Sequence, residues 1–355
     1  MPLTTWWLIA AVVLAPLAAF PASSGIGLAQ AKNALVVVFG LGLIVWRLPS
    51  AWVKAIAALA LVSFVATGMT VWALAGVLGV LAWLLVYAEA SRLTDAGWRA
   101  VRWAIAGAAG FQVAWMGLQA VGLDPLFLPL SYRGDVLPGT PPVVGWFGNP
   151  MDAAVFLGLS LPAAVALSPW LLVPGAVVIG ALGATAGAVC VALTALWVVP
   201  SWRWRAAAAV VLLAAGAAFA LVRDPQGAGL RPVIWRNAAA LAWARPVLGW
   251  GPNAVGYRLR TIHPRTVEHW DFYFNEWLQG GVELGLAGPA LALGYLASLA
   301  WRLRRCGHAL GEALPGALAL LALSTFSIPL RIGPAALLGA LYLGRLEGLA
   351  QEAQT

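Results

Sequence analysis

Charge is the scarcest feature of this sequence. Only 10% of its 355 residues are Asp, Glu, Lys or Arg, while 62% are hydrophobic and the mean hydropathy is +0.87. A water-soluble globular chain carries roughly 25% charged residues, so there is too little polar side chain here to cover a surface facing water. Cysteine is nearly absent: Cys190 and Cys306 stand in different segments at no metal-ligand spacing, and they say nothing of redox compartment. Lysine is limited to Lys32 and Lys54. Carboxylate pairs, Asp-x-Asp metal sites, Walker loops, nucleophile elbows and zinc spacings are all missing, which argues against metal-dependent sugar-nucleotide chemistry. Nothing points to nucleic acid, and no metal or cofactor is expected. The N-terminus lacks a basic leading region and a clear cleavage site after Phe20, so it reads as a first membrane span and not a signal peptide.

What is present is a succession of apolar runs. They fall near 5–21, 28–46, 51–67, 70–89, 103–121, 152–168, 170–184, 186–200, 204–222, 281–301, 309–328 and 333–348. The expected fold is therefore all-α: one polytopic membrane domain, 1–355, of about 12 transmembrane helices. The cut near Gly183 and Gly187 decides whether the count is even or odd. Tryptophan is abundant, and Trp6, Trp7, Trp46, Trp52, Trp103, Trp197, Trp202 and Trp301 sit where runs end. That placement suits the headgroup belt, where indole keeps its ring in lipid and its N–H in water.

Loop charge gives the expected orientation. With the N-terminus cytoplasmic, the inner connections hold Arg47 and Lys54, then Arg92, Arg99 and Arg102, then Arg203 and Arg205, then Arg302, Arg304 and Arg305. The short outer turns at 22–27, 68–70 and 184–186 hold no basic residue. This is the positive-inside asymmetry, and it puts both termini in the cytoplasm.

Two long segments interrupt the apolar rhythm, and both fall on the outer, periplasmic face: 122–151, and 223–272 with seven arginines. Loops of that length are uncommon without function. Arginine offers a planar fork that grips phosphate in a bidentate way, which points to a polyanion presented from the bilayer, such as a lipid pyrophosphate. A GC-rich coding sequence, or unspecific attraction to lipid headgroups, accounts for the same arginines. Within the larger loop, 231–244 mixes Trp, Ile and Leu with Arg and Asn and could form a short helix lying in the interface. The Gly/Pro cluster 245–257 would end it. His263 and His269 precede a span, a suitable place for a general base, although a lone loop histidine is usually structural or idle.

Three stretches, taken together, resemble the O-antigen ligase and O-antigen polymerase family of membrane glycosyltransferases. GWFGNPMDAAVFLGLSLP (145–162) is similar to the family's Gly-x-Phe-x-Asn-Pro-Asn run. RPVIWRNAAALAWARPVLGWGP (231–252) resembles its Arg-x-x-Ile-Trp helix followed by Pro-x-x-Gly-x-Gly. NEWLQGGVELGLAG (275–288) resembles its His-Asn-x-x-Leu-Gln and Glu-x-Gly elements. The resemblance covers roughly residues 120–300 and the remainder only by hydropathy.

The resemblance implies a GT-C-like membrane enzyme of the bacterial inner membrane, active in cell-surface polysaccharide or lipopolysaccharide assembly. Such an enzyme takes a glycan from a polyprenyl (undecaprenyl) pyrophosphate donor to an acceptor hydroxyl on a glycolipid, a glycan or a protein. It also implies substrate-binding roles for Arg133, Arg231, Arg236, Asn149 and Asn275. Where the family places a His before the Asn, this chain has Phe274, leaving His269 as the candidate base. A second departure is Ala-Thr-Ala-Gly-Ala at 184–188, which lacks the family's Arg. Glu283 matches the Glu-x-Gly element but is expected to pair inside the bundle, because an intramembrane acid is costly without a partner. The competing readings are a catalytically altered relative, and a transporter or flippase for a lipid-linked substrate. Transporters gather ionisable groups at mid-membrane, whereas the polar chemistry here is expected at one face.

Overall fold

The computed structural model describes residues 2–17, 51–69, 71–123, 143, 145–147, 150–182, 185–198, 227–255, 273–304 and 310–353. The expected spans 28–46 and 204–222 lie outside these residues. All described secondary structure is helical. In chain order the helices are α1 (Leu3–Leu17), α2 (Ala51–Ala66), α3 (Val71–Ala90), α4 (Asp95–Ala120), α5 (Pro150–Leu167), α6 (Leu172–Ala181), α7 (Thr185–Val198), α8 (Gly227–Ala244), α9 (Glu276–Leu284), α10 (Ala287–Leu303), α11 (Ala313–Phe326) and α12 (Gly333–Glu352). Two of them, at Ala73–Ala90 and Pro150–Leu167, are long and apolar enough to cross a membrane; α1, α2, α6, α7 and α11 are apolar but shorter.

The apolar runs within the described residues translate into helices, with two adjustments. The run at 103–121 begins two turns earlier, at Asp95, because the Thr94 side chain caps α4 by accepting from Gly97 N–H. The adjacent runs 170–184 and 186–200 form separate helices, α6 and α7, as expected. The run at 281–301 is broken: α9 ends at Leu284 and α10 starts at Ala287, with Gly285 between them at φ +71°.

Helix α12 is the axis of the bundle, buried along nearly its whole length. It packs against α1, α3, α5, α10 and α11. Small residues set its close approaches. A side chain at Gly344 would run into the Tyr87 carbonyl, and one at Gly339 would lie 2.7 Å from Leu320 Cδ2. Helices without a strong hydrophobic drive to associate in lipid meet through such contacts. The Tyr342 hydroxyl crosses to donate to the Leu159 carbonyl at 2.8 Å, about one turn before Pro162 inside α5.

The bundle has two polar ends. At one, Arg345 bonds the Leu93 carbonyl (3.0 Å) and the Asp95 carboxylate. Arg302 pairs with Glu347 at 2.5 Å, and Glu347 also accepts from Tyr295. Thr5 of α1 lies against Gly97 of α4 here. At the other end the finish of α2, the start of α9, the finish of α11 and the start of α12 converge around Arg331.

Candidate functional site

The Arg331 end gathers two of the three motif stretches. Helix α8 ends at Ala244, and residues 245–251 then fold back along the C-terminus of α9. Trp250 N–H donates to the Val282 carbonyl (2.8 Å), Gly251 N–H to the Glu283 carbonyl (2.9 Å) and Leu286 N–H to the Pro246 carbonyl (2.7 Å). The first two bonds satisfy carbonyls in α9's last turn, which have no partner within the helix. Contact this close requires glycine on both sides. A Cβ on Gly249 (φ +66°) would lie 2.5 Å from the Glu283 carbonyl, and one on Gly285 would lie 2.5 Å from the Val247 backbone. Ser63 of α2 ties the seam to the bundle by donating to the Leu248 carbonyl (2.6 Å) and the Glu283 carbonyl (3.2 Å).

The two stretches share a small core of their own. Ile234, Ala238 and Leu241 of α8 pack with Trp250, Tyr273 and Val282. Both indoles are anchored through it: Trp235 Nε1 donates to the Tyr273 carbonyl (3.0 Å) and Trp250 Nε1 to the Leu241 carbonyl (2.9 Å). Arginines cover its edges. Arg245 lies 4.2 Å from the Trp250 ring centroid, and Arg231 lies 5.9 Å from that of Phe274. Within about 6 Å a cation is drawn to the negative face of an aromatic ring.

Phe274 has φ +51°. A bulky residue in the left-handed region is a genuine outlier, whereas Asn, Asp and His are enriched there. Its neighbour Asn275 starts α9: Oδ1 accepts from Leu278 N–H (3.0 Å), and Nδ2 donates to the Thr325 carbonyl of α11 (2.8 Å). Asn275 therefore serves as helix cap and strut in this structure.

Behind α9 lies a buried ionic cluster. Arg331, in the turn leading into α12, reaches Glu283 at 2.7 Å and Glu276 at 3.6 Å. Glu276 also accepts from Leu330 N–H (2.8 Å), and Glu283 from Gln279 Nε2 (3.1 Å). Burial raises the Glu276 carboxyl above the usual range; Arg331 pulls against this and Glu283 adds to it. Tyr273 stands beside the cluster with its hydroxyl buried and unbonded among the described residues. Burial, reinforced by Glu283, raises its phenol and keeps it neutral.

Of the residues singled out from the sequence, Arg231 and Asn275 are brought to one locus, on either side of Phe274. Arg236 lies exposed on α8. Arg133, Asn149, His263 and His269 lie outside the described residues. The first motif stretch docks elsewhere: Gly145 exchanges hydrogen bonds with Gln119 (2.7 and 3.2 Å), Trp146 N–H donates to Gln112 (2.9 Å), and Phe147 meets Phe156 at 5.1 Å. It belongs to α4 and α5, joined to the α8–α9 unit through α11, which packs on both α5 and α9. Glu283 does pair inside the bundle, and its partner Arg331 was not singled out. Buried charge is not confined to this end, as the Arg302–Glu347 and Arg345–Asp95 pairs show. Among the described residues no group of three or more metal-ligating side chains is found.

No protein-family profile matches this chain, and no curated protein matches it.

Proposed function

We propose that the protein is a multi-pass membrane glycosyltransferase that moves a glycan from a polyprenyl pyrophosphate donor to an acceptor hydroxyl at the outer membrane face, in the manner of the O-antigen ligases and polymerases. The observation that carries this reading is the meeting of Arg231 with Phe274, directly before Asn275. Two stretches, each with its own resemblance to the family, fold as one unit with Arg231 of one against Phe274, more than forty residues further along the sequence and directly before the other.

The chemistry needs no metal. The acceptor O–H loses its proton to a base as the oxygen attacks the anomeric carbon. The bond from that carbon to the pyrophosphate oxygen breaks, and the departing charge is stabilised by arginine forks. Arg231 fits the last role, with Arg236 and Arg133 as further ligands of the donor. His269, five residues before Phe274, is the proposed base. The loop charges place this end outside and both termini in the cytoplasm of a bacterial inner membrane, with about twelve spans in all.

Phe274 favours a second reading, a relative with altered catalysis, because its side chain cannot accept a proton. The two readings share the donor site. Titration of undecaprenyl pyrophosphate into the full-length protein in lipid nanodiscs tests that site. Arg231→Ala is expected to weaken binding about tenfold, the worth of one charged hydrogen bond; equal binding by both proteins removes Arg231 from the donor site.

A further inference from the structure

The first motif stretch builds a locus of its own on α4. That helix starts at the Arg345 end of the bundle, where Asp95 lies, and by Gln112 it has risen about 25 Å along its axis. There Phe111, Trp115 and Trp146 form a cluster in which every ring meets the other two, with centroids 6.0, 6.0 and 5.0 Å apart. Phe111 is 39% exposed, and both indoles are half-buried. We propose that these rings and the Gln112 amide form a binding site for a sugar ring, distinct from the Arg231 locus. It rests on the proposed transferase reading only for the origin of that sugar, the transferred glycan or its acceptor.

The polar atoms beside the rings point to a ligand. Gln112 is fully buried. Its Oε1 accepts from Trp146 N–H (2.9 Å), which fixes the orientation of the amide. The Nε2 of the same amide has no hydrogen-bond partner among the described residues. Three residues on, Trp115 Nε1 is likewise buried without one. Gln119, two turns from Gln112 on the same face, shows the contrast, because it bonds Gly145 through both ends of its amide. A buried donor left unbonded costs about 1–3 kcal/mol, and a buried indole N–H usually finds an acceptor. Two such donors on one helix face call for an acceptor that the described residues do not supply.

The occupant follows from what the patch has and lacks. None of Phe111, Gln112, Trp115 and Trp146 is charged, so a phosphate has no cation among them to pair with. An acyl chain would cover the rings but brings no acceptor. A pyranose brings both, an apolar C–H face for the rings and oxygens for the two N–H donors. Apolar walls with a few placed polar groups are the general make-up of small-molecule sites. Both donors are covered by neighbouring side chains, so an entering sugar turns a ring aside. Trp146 stands on a turn of three residues, Gly145–Phe147, and not within a long helix, which makes its ring the one to move.

The test uses the full-length protein in phosphatidylcholine nanodiscs, with methyl glycosides of glucose, galactose, N-acetylglucosamine and rhamnose as probes. Saturation-transfer NMR with irradiation of the aromatic protons reads contact with the sugar, and a titration gives the affinity. Saturation of the C–H protons on one ring face is expected for at least one glycoside. Trp115→Phe, which keeps a ring and removes the N–H, is expected to weaken binding about fivefold, the worth of one neutral hydrogen bond. Trp301→Phe, at an indole 59% exposed at the opposite end of the bundle, is expected to leave it intact. Glycoside binding without glycan transfer tells against the transferase reading and leaves the site standing; transfer without glycoside binding overturns the site alone. No saturation of any probe leaves the rings to lipid and the donors to water, and overturns the site. So does unchanged affinity in Trp115→Phe, or an equal loss in Trp301→Phe.

Discussion

Arg231 stands 5.9 Å from the ring centroid of Phe274, and that contact joins the helix 227–244 to the residue that introduces α9. The arginine covers an aromatic ring where the resembling family has a histidine. The backbone beneath that ring is held at φ +51°, a conformation better suited to Asn or His than to Phe.

That mismatch makes position 274 an informative site to change. Phe274→Asn relieves the backbone and is expected to stabilise the protein by about 1 kcal/mol, the scale of one residue in an unfavourable region. Phe274→His should be tolerated for the same reason. On the proposed function it should also raise transfer and bring in a pH dependence near the histidine range. Thermal unfolding checks the first expectation, and a pH–rate profile of wild type against Phe274→His checks the second.

The Arg331 cluster predicts a strong dependence on its single cation. Arg331→Met strands Glu276 and Glu283 in a buried setting, which costs about 3–5 kcal/mol for a broken buried pair. Adding Glu283→Met should cost less than the sum of the two single changes, because the residues act as a unit. Denaturation in detergent of the two single variants and the double variant reads both.

Glu276 gives that cluster a pH dependence of definite sign. Its folded carboxyl titrates above the usual range, so its contribution to stability is complete below the ordinary carboxylate pKa of about 4.3. The contribution fades as pH rises through the folded value, where the unfolded chain is ionised and the folded one still holds the proton. The melting temperature of wild type should therefore fall from about pH 4 toward neutrality more than that of Glu276→Gln. Parallel profiles for the two proteins would contradict this.

The seam between 245–251 and α9 depends on glycine at two facing positions. Gly285→Ala places a Cβ against the Val247 backbone at φ +71°. With ψ at 177° this is a region essentially confined to glycine, where another residue costs about 1–3 kcal/mol before any clash, so the loss should exceed about 2 kcal/mol. Gly280→Ala is a suitable control, since nothing lies within 4 Å of a Cβ there.

Much of the described helix layout was legible because long apolar runs mark apolar helices by length and composition alone. Hydropathy could not see the break at Gly285, since the residues on both sides are apolar and the cause is a backbone pairing with Pro246 and Val247. Nor did it place the start of α4, although Thr94–Asp95 is a cap signal written in the sequence. In the site, Arg231 and Asn275 were legible through the motif stretches they open. Arg331 was missed because it is a lone arginine between two apolar runs, more than forty residues from its partners. The signal was indirect: a Glu at 283 needs a cation. The polar end around Arg345 was hidden in the same way, because its acids and arginines are scattered over α4, α10, α11 and α12 and only the fold assembles them.

Whether the protein is a glycosyltransferase is decided by glycan transfer with the reconstituted full-length protein, supplied with its native polyprenyl pyrophosphate-linked glycan and with glycolipid, glycan and protein acceptors in turn. A transferred product is expected with one of these acceptors, with a loss of at least about tenfold in rate for Arg231→Ala. No product with any acceptor, or full activity in Arg231→Ala, would contradict it.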